Sequence, residues 1–121
     1  KLTDTIELLG IRRDIPKLCQ QADCLIIPSL WEGLPIVLLE AGASSLPVIS
    51  TKVGSIPSLV NDENLGYLIE DCSYLVKTMK KVINNYSLAI QKGKNLHEKV
   101  KQTYSISAVV AQHENIYQQL V

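Results

Sequence analysis

Excess charge is the first thing this sequence lacks. Its 121 residues carry twelve Lys and Arg against twelve Asp and Glu, for a formal net charge of zero. A dedicated nucleic-acid binder carries a basic excess, so no nucleic-acid partner is expected. Long hydrophobic runs are missing too. The longest, Leu25-Ile26-Ile27 and Ile36 to Leu39, fall far short of the roughly 20 residues that cross a bilayer, and no signal-peptide pattern opens the chain. Cysteine is scarce. Cys19, Cys24 and Cys72 are odd in number and form no CxxC pair, which argues against a disulfide framework and against a structural zinc site. Three small buried thiols in a reducing cytoplasm are the expectation. No internal repeat or low-complexity segment is present. The chain starts at Lys1 rather than Met, inside what reads as structured sequence, and is therefore expected to be a piece of something larger.

What is present suits one globular domain with a real core: 46% of the residues are hydrophobic and 20% charged. Residues 1–71 hold five Lys and Arg against ten acids, a net of −5, while residues 72–121 hold seven lysines against Glu98 and Glu114, a net of +5. Short apolar runs alternate with amphipathic stretches over the first two thirds. Ile6 to Leu9, Cys24 to Ile27, Pro47 to Ser50 and Tyr67 to Ile69 read as strands. The continuous apolar character of Cys24 to Ile27 is that of a parallel sheet covered on both faces. A helix capped by Asp14 carries Ile15, Leu18, Cys19 and Ala22 at helical spacing, and a second runs from Pro35 to about Ser44. From about residue 73 the pattern is helical. Leu75, Val76, Met79, Val82, Ile83 and Tyr86 fall on one face behind a Ser73 cap; a weaker helix spans Leu88 to Gln102, and a last one starts at Ser105. Strand–helix alternation at this spacing predicts an α/β fold: a Rossmann-like parallel sheet with flanking helices and a helical C-terminus, in a single domain over residues 1–121.

In open parallel sheets, ligands bind beyond the C-terminal ends of the strands. That singles out three loops: Gly10 to Arg13, Ser29 to Pro35, and Ser50 to Ile56. Glu32 and Gly33 sit just before a helix start, where free amides and the helix dipole favour anions. A carboxylate there fits an acceptor for ligand hydroxyls, or else simply complements the helix N-terminus. Gly33 lets a ligand approach the backbone closely. Glu40 lies in Ile36-Val37-Leu38-Leu39-Glu40-Ala41, a helix with almost no polar face. An unpaired buried carboxylate is costly, so Glu40 needs a partner, either a ligand or an internal Lys or Arg. Trp31 is expected to pack under the site loop. His97 and His113 have no carboxylate or thiol at ligand spacing and read as solvated or core residues, and no metal site is expected.

Glu32-Gly33-Leu34-Pro35-Ile36-Val37-Leu38-Leu39-Glu40-Ala41, preceded by Pro28-Ser29-Leu30-Trp31, closely resembles the E-x7-E signature of the family-4 glycosyltransferases with the GT-B fold. Gly10 to Asp23 is similar to that family's "G…diP.l…aD" segment. Leu46 to Thr51 resembles "glPvvaT", Val53 to Pro57 "vGGiPe", and Leu65 to Ile69 "nGlLv". Five ordered segments make a more specific match than E-x7-E alone. Ser45, Ser55 and Ser58 stand where the family usually has Gly, Gly and Glu; Ser45 in particular would strain a left-handed turn.

The resemblance implies the donor-binding, C-terminal half of a retaining glycosyltransferase, which moves a sugar from a nucleoside diphosphate sugar, a UDP-sugar first, to a glycan or lipid-linked acceptor. By it, Glu32 is the catalytic residue, taking sugar hydroxyls at the reacting face. The segment Gly33, Leu34, Pro35, Ile36 and Val37 meets the sugar and diphosphate, with the amides of Gly33, Leu34, Ile36 and Val37 approaching. Glu40 accepts from the ribose hydroxyls, and the loop from Gly10 to Arg12 lies near the base. It implies no cofactor beyond the donor, a partner N-terminal GT-B half outside this sequence, and surface polysaccharide assembly in the cytoplasm. Lys77, Lys80, Lys81, Lys92, Lys94, Lys99 and Lys101 admit peripheral contact with anionic lipid at the inner face of the membrane, although a solvated surface is the simpler reading. Two rival readings share the architecture: a sugar-nucleotide epimerase, and a non-catalytic donor-binding or scaffolding subunit.

Overall fold

Three short apolar runs form strands in a computed structural model of the chain, which describes residues 2–120. They are β1 (Leu25–Ile27), β2 (Val48–Thr51) and β3 (Tyr67–Ile69), paired in parallel in the order β1-β2-β3. Leu25 stands opposite Val48, and Ser50 opposite Leu68. Parallel neighbours need crossovers, supplied by α2 (Ile36–Ala43) between β1 and β2 and by the short α3 (Ile56–Leu59) between β2 and β3. Helix α1 (Ile15–Gln21) precedes β1, while α4 (Leu75–Asn84), α5 (Tyr86–Tyr104) and α6 (Ile106–Gln119) follow β3.

Side chains alternate across a strand, and two cores follow. Leu25, Ile27, Val48 and Leu68 face Leu38 and Ala41 of α2, Ile56 and Leu59 of α3, and Leu96 and Val100 of α5. Cys24, Ile26, Ile49, Tyr67 and Ile69 face Leu75 and Val82 of α4 and Ala89 of α5. All four residues of the central strand β2 are buried. Helix α5 thus contributes to both cores, and its Gly93 passes so close to the α2–β2 turn that a Cβ there would lie 2.2 Å from the Ser45 carbonyl oxygen.

That turn closes α2. The Leu46 amide donates to the Ala41 carbonyl (2.9 Å) and the Ser45 amide to that of Gly42 (3.0 Å), the pairing that satisfies a helix end when the residue between is left-handed. Ser45 is that residue, with φ +57°. The departure from glycine noted in the sequence therefore falls on a strained position.

Several expectations change. Ile6 to Leu9 is not a strand: Ile6 is 56% and Leu8 92% exposed. An extended segment is stabilised by a neighbour's hydrogen-bond ladder, and among the described residues none pairs with it. The cap before α4 is Asp71, not Ser73. Its carboxylate accepts from the Ser73 amide (2.7 Å) and opens a 3-10 turn, Cys72–Tyr74, which runs into α4; that bond holds the Asp71 carboxyl below its ordinary range. The α4 stripe is only partly covered, with Val82 buried but Val76 and Ile83 exposed. Ser105 does cap α6, accepting from the Ala108 amide at 3.2 Å. His113 is exposed, its ring nitrogen 2.8 Å from the Val109 carbonyl. The thiols also diverge: Cys19 is buried, Cys24 half-buried and Cys72 exposed.

Ser45→Gly is expected to raise stability by about 1 kcal/mol, because it relieves the left-handed serine. Gly93→Ala is expected to lower it by about 1–3 kcal/mol through overpacking. Urea midpoints of the two variants, moving in opposite directions, check the crossing of α5 over the turn. A thiol reagent at pH 8 is expected to label one cysteine, Cys72. Burial pushes the Cys24 thiol up to about 11, and burial together with the nearby Glu40 charge pushes Cys19 up. Because folded Cys24 holds its proton more tightly than the unfolded chain does, its contribution to stability is complete below about pH 9 and lost by about pH 11. Peptide mapping of the labelled protein and a pH series of urea midpoints measure both.

Candidate functional site

The loop between β1 and α2, residues 28–35, leaves the C-terminal end of the sheet and ends at Pro35, the residue that caps α2. Proline fixes its own φ and donates no amide, so it starts a helix without wasting a hydrogen bond. The first amides of a helix have no intrahelical acceptor. Among the described residues, no group accepts from the amides of Gly33, Leu34, Ile36 or Val37, whereas Leu38 donates to the Pro35 carbonyl (3.0 Å). Leu34 and Val37 anchor this turn by packing on the first core, while Ile36 is 72% exposed. Open space surrounds Gly33 on its side-chain side, with no atom within 4 Å of a Cβ built there. The result is a cluster of free N–H groups at the positive end of the α2 dipole.

Glu32 stands beside this cluster, half-buried. One of its carboxylate oxygens accepts from the Ser29 hydroxyl at 2.7 Å. Ser29 is itself tied to the sheet, since its carbonyl accepts from the Thr51 hydroxyl at 2.6 Å. From the far side the β2–α3 turn closes on the same loop. The Ser55 amide donates to the Gly33 carbonyl (2.9 Å), and Gly54, at φ +56°, lies so near that a Cβ would fall 2.0 Å from the Glu32 carbonyl oxygen. Neither Ser29 nor Thr51 is singled out in the sequence reading. The signal available was Thr51 itself, a polar residue closing an apolar strand at the ligand end of the sheet.

Glu40 is half-buried one turn into α2. It lines a cavity of about 390 Å³ together with His97, Val100, Lys101, Tyr104 and Ser105. Glu32 is not among the residues lining that cavity, and among the described residues no ion pair joins Glu40 to a Lys or Arg. The His97 ring nitrogen lies 2.9 Å from the Ala43 carbonyl at the same interface. Gly10 makes a left-handed turn at φ +64°. Arg12 forms a two-pronged pair with Asp14 at 2.8 and 2.6 Å, and that partner raises the guanidinium pKa further. Asp14 consequently makes no side-chain cap on α1. The same bond holds its carboxyl below the ordinary range. Trp31, expected to pack beneath the loop, is instead 84% exposed, because none of the described residues covers it at the loop's outer surface. Lys92 does not join the lysine surface: it is buried, donates to the Glu63 carbonyl and lies 4.9 Å from the centre of the Tyr67 ring. Among the described residues, no group of three or more His, Cys, Asp or Glu is placed to hold a metal ion, and no helix is long and apolar enough to cross a membrane.

Residues 1–85 match the family model for Glycosyl transferases group 1. Among curated relatives, the Escherichia coli UDP-Gal:alpha-D-GlcNAc-diphosphoundecaprenol alpha-1,3-galactosyltransferase is 34% identical over 94% of this chain and 30% of its own length. The Schizosaccharomyces pombe phosphatidylinositol N-acetylglucosaminyltransferase gpi3 subunit is also 34% identical, over 96% of this chain and 26% of its own length. This chain therefore spans less than a third of either relative. Among solved structures, the C-terminal domain of the group 1 family glycosyl transferase LpcC from Francisella tularensis superposes with a TM-score of 0.72 at 28% identity, over 84% of this chain and 53% of that one. Anabaena HepE in complex with UDP superposes with a TM-score of 0.90 at 22% identity, over 98% of this chain and 33% of that one. The last likeness is one of fold.

Gly54→Ala is expected to loosen the loop rather than the sheet, since the added methyl must displace the Glu32 and Gly33 carbonyls. In hydrogen exchange the Ser55 amide should speed up by about tenfold or more, corresponding to a local cost of about 1–2 kcal/mol for a left-handed alanine. Amides of β2 should keep wild-type rates.

Proposed function

The chain belongs to the group 1 glycosyl transferases, and on that premise we propose that it is the donor-binding part of a retaining enzyme that transfers a sugar from a nucleoside diphosphate sugar to a glycan or lipid-linked acceptor. The observation that carries this reading is the set of unpartnered amides from Gly33 to Val37 beside the Ser29-held carboxylate of Glu32. A diphosphate needs donors and positive potential, which the α2 N-terminus offers. Sugar hydroxyls need acceptors, which Glu32 offers. As the bond to the leaving diphosphate lengthens, negative charge grows on the phosphate oxygens. Fixed amides aimed at it stabilise that charge without having to reorganise. Glu40, one helical turn further on, accepts from the ribose hydroxyls, and the Gly10–Arg12 loop lies toward the base. That HepE was crystallised with UDP and with UDP-glucose, and a TarM variant with UDP, supports uridine as the first nucleotide to test. The E. coli and S. pombe relatives, whose names specify a diphosphoundecaprenol and a phosphatidylinositol acceptor, support a lipid-linked acceptor.

Saturation-transfer NMR on the full-length protein with UDP, GDP and ADP tests the donor site. Transfer to the ribose protons of UDP is expected, with at least a tenfold loss of affinity in Glu40→Ala as a carboxylate–hydroxyl bond is removed. Preference for GDP or ADP would overturn the base assignment. Undiminished ribose contact in Glu40→Ala would overturn the role given to Glu40.

A further inference from the structure

We propose that Ser29 is a positioning residue for Glu32, and that Thr51 anchors Ser29 to the central strand. The proposal rests on the reading above, in which Glu32 acts on the donor sugar. Glu32 sits in a loop without regular structure, and a glutamate side chain has three rotatable bonds with which to miss its target. One contact restrains the side chain and three more hold the backbone that carries it. The Ser29 hydroxyl fixes one carboxylate oxygen at 2.7 Å, leaving the second oxygen free to accept from a ligand. The Ser29 main chain is fixed in turn by the Thr51 hydroxyl at 2.6 Å. Thr51 is only 3% exposed and closes a strand buried along its whole length, so the chain of bonds ends on the buried central strand. The backbone around Glu32 is held from the opposite side by Gly54 and by the Ser55 amide.

The direction of the bonds separates positioning from ligand binding. A serine hydroxyl has one proton to donate, and here it goes to the Glu32 carboxylate, which when ionised can only accept. Ser29 therefore has no proton left for a phosphate or a sugar oxygen; its lone pairs can still accept from a sugar hydroxyl, and the dependence of its effect on Glu32 separates that direct contact from positioning.

A double-mutant cycle in the full-length protein tests this, with UDP-glucose, UDP-galactose and UDP-N-acetylglucosamine as donors and UDP as the sugar-free control. Ser29→Ala is expected to lower turnover by about tenfold, the worth of one charge-assisted hydrogen bond, while leaving the Kd for UDP within about twofold of wild type. A general loss of structure would move both. Ser29→Thr, which keeps the hydroxyl, is expected to restore most of the turnover. In a Glu32→Ala background the Ser29→Ala effect should vanish. If that background has no measurable turnover, the cycle is read on the ratio of UDP-sugar to UDP affinity. A Ser29→Ala effect that is absent, or equally large without Glu32, overturns the positioning role and leaves the role of Glu32 standing. A Glu32→Ala variant with wild-type turnover and wild-type affinity ratio overturns the role of Glu32 itself, and the proposal falls with it. Failure of all three donors to bind overturns only the uridine assignment, and the cycle is then read with the sugar donors of the nucleotide that does bind.

Discussion

The central strand β2 must be buried on both faces, and most of the arrangement follows from meeting that requirement. A strand covered on both sides can hold only apolar residues and satisfied hydroxyls. Val48 and Ile49 supply the first, one to each core. Ser50 and Thr51 supply the second, bonding to the carbonyls of Ile27 and Ser29. The hydroxyl that closes the strand without leaving an orphan polar group is thus also the one that fixes the loop next door. Core satisfaction and site geometry are the same bond, which is why the residue that positions the loop lies 22 positions away from it in sequence.

The backbone supplies hydrogen-bond donors and positive potential at the loop. Of the four cations between residues 2 and 71, Arg12 pairs with Asp14 and Lys52 with Glu70. Both pairs are exposed, and such pairs add little to stability, but each takes up the charge it contains. The free amides at the start of α2 keep their full donor capacity. A site built on amides resists changes of side chain: Leu34 and Ile36 could be replaced by many residues without removing an N–H, provided that the turn is kept.

The sequence patterns read correctly wherever the controlling interactions are local or uniformly apolar. The stretches Cys24 to Ile27 and Pro47 to Ser50 hold β1 and most of β2 because their composition allows little else, and α2 starts just after Pro35 because proline suits a helix start. The left-handed turn at Ser45 was visible as a departure from glycine. Ile6 to Leu9 misled because strand propensity is a preference for a pleated, half-buried surface, and the described residues provide none beside it. Trp31 and Lys92 exchange the places their chemistry suggests, the indole in solvent and the ammonium buried over Tyr67, because burial is settled by which loops and helices happen to pass overhead. The link between Ser29 and Thr51 was invisible for a related reason: the bond between them has no sequence period.

Helix α5 belongs to both cores, placing Ala89 in one and Leu96 and Val100 in the other. During synthesis the strands leave the ribosome first, yet neither of their faces can be sealed until residues beyond 86 have emerged. The nascent sheet must therefore wait with one apolar face only partly covered, by α2 and α3, and the other open, as long-range topologies generally do, until α4 and α5 complete both sides. Unfolding inherits the same linkage: lifting one helix exposes two cores, so the two halves of the interior cannot melt separately.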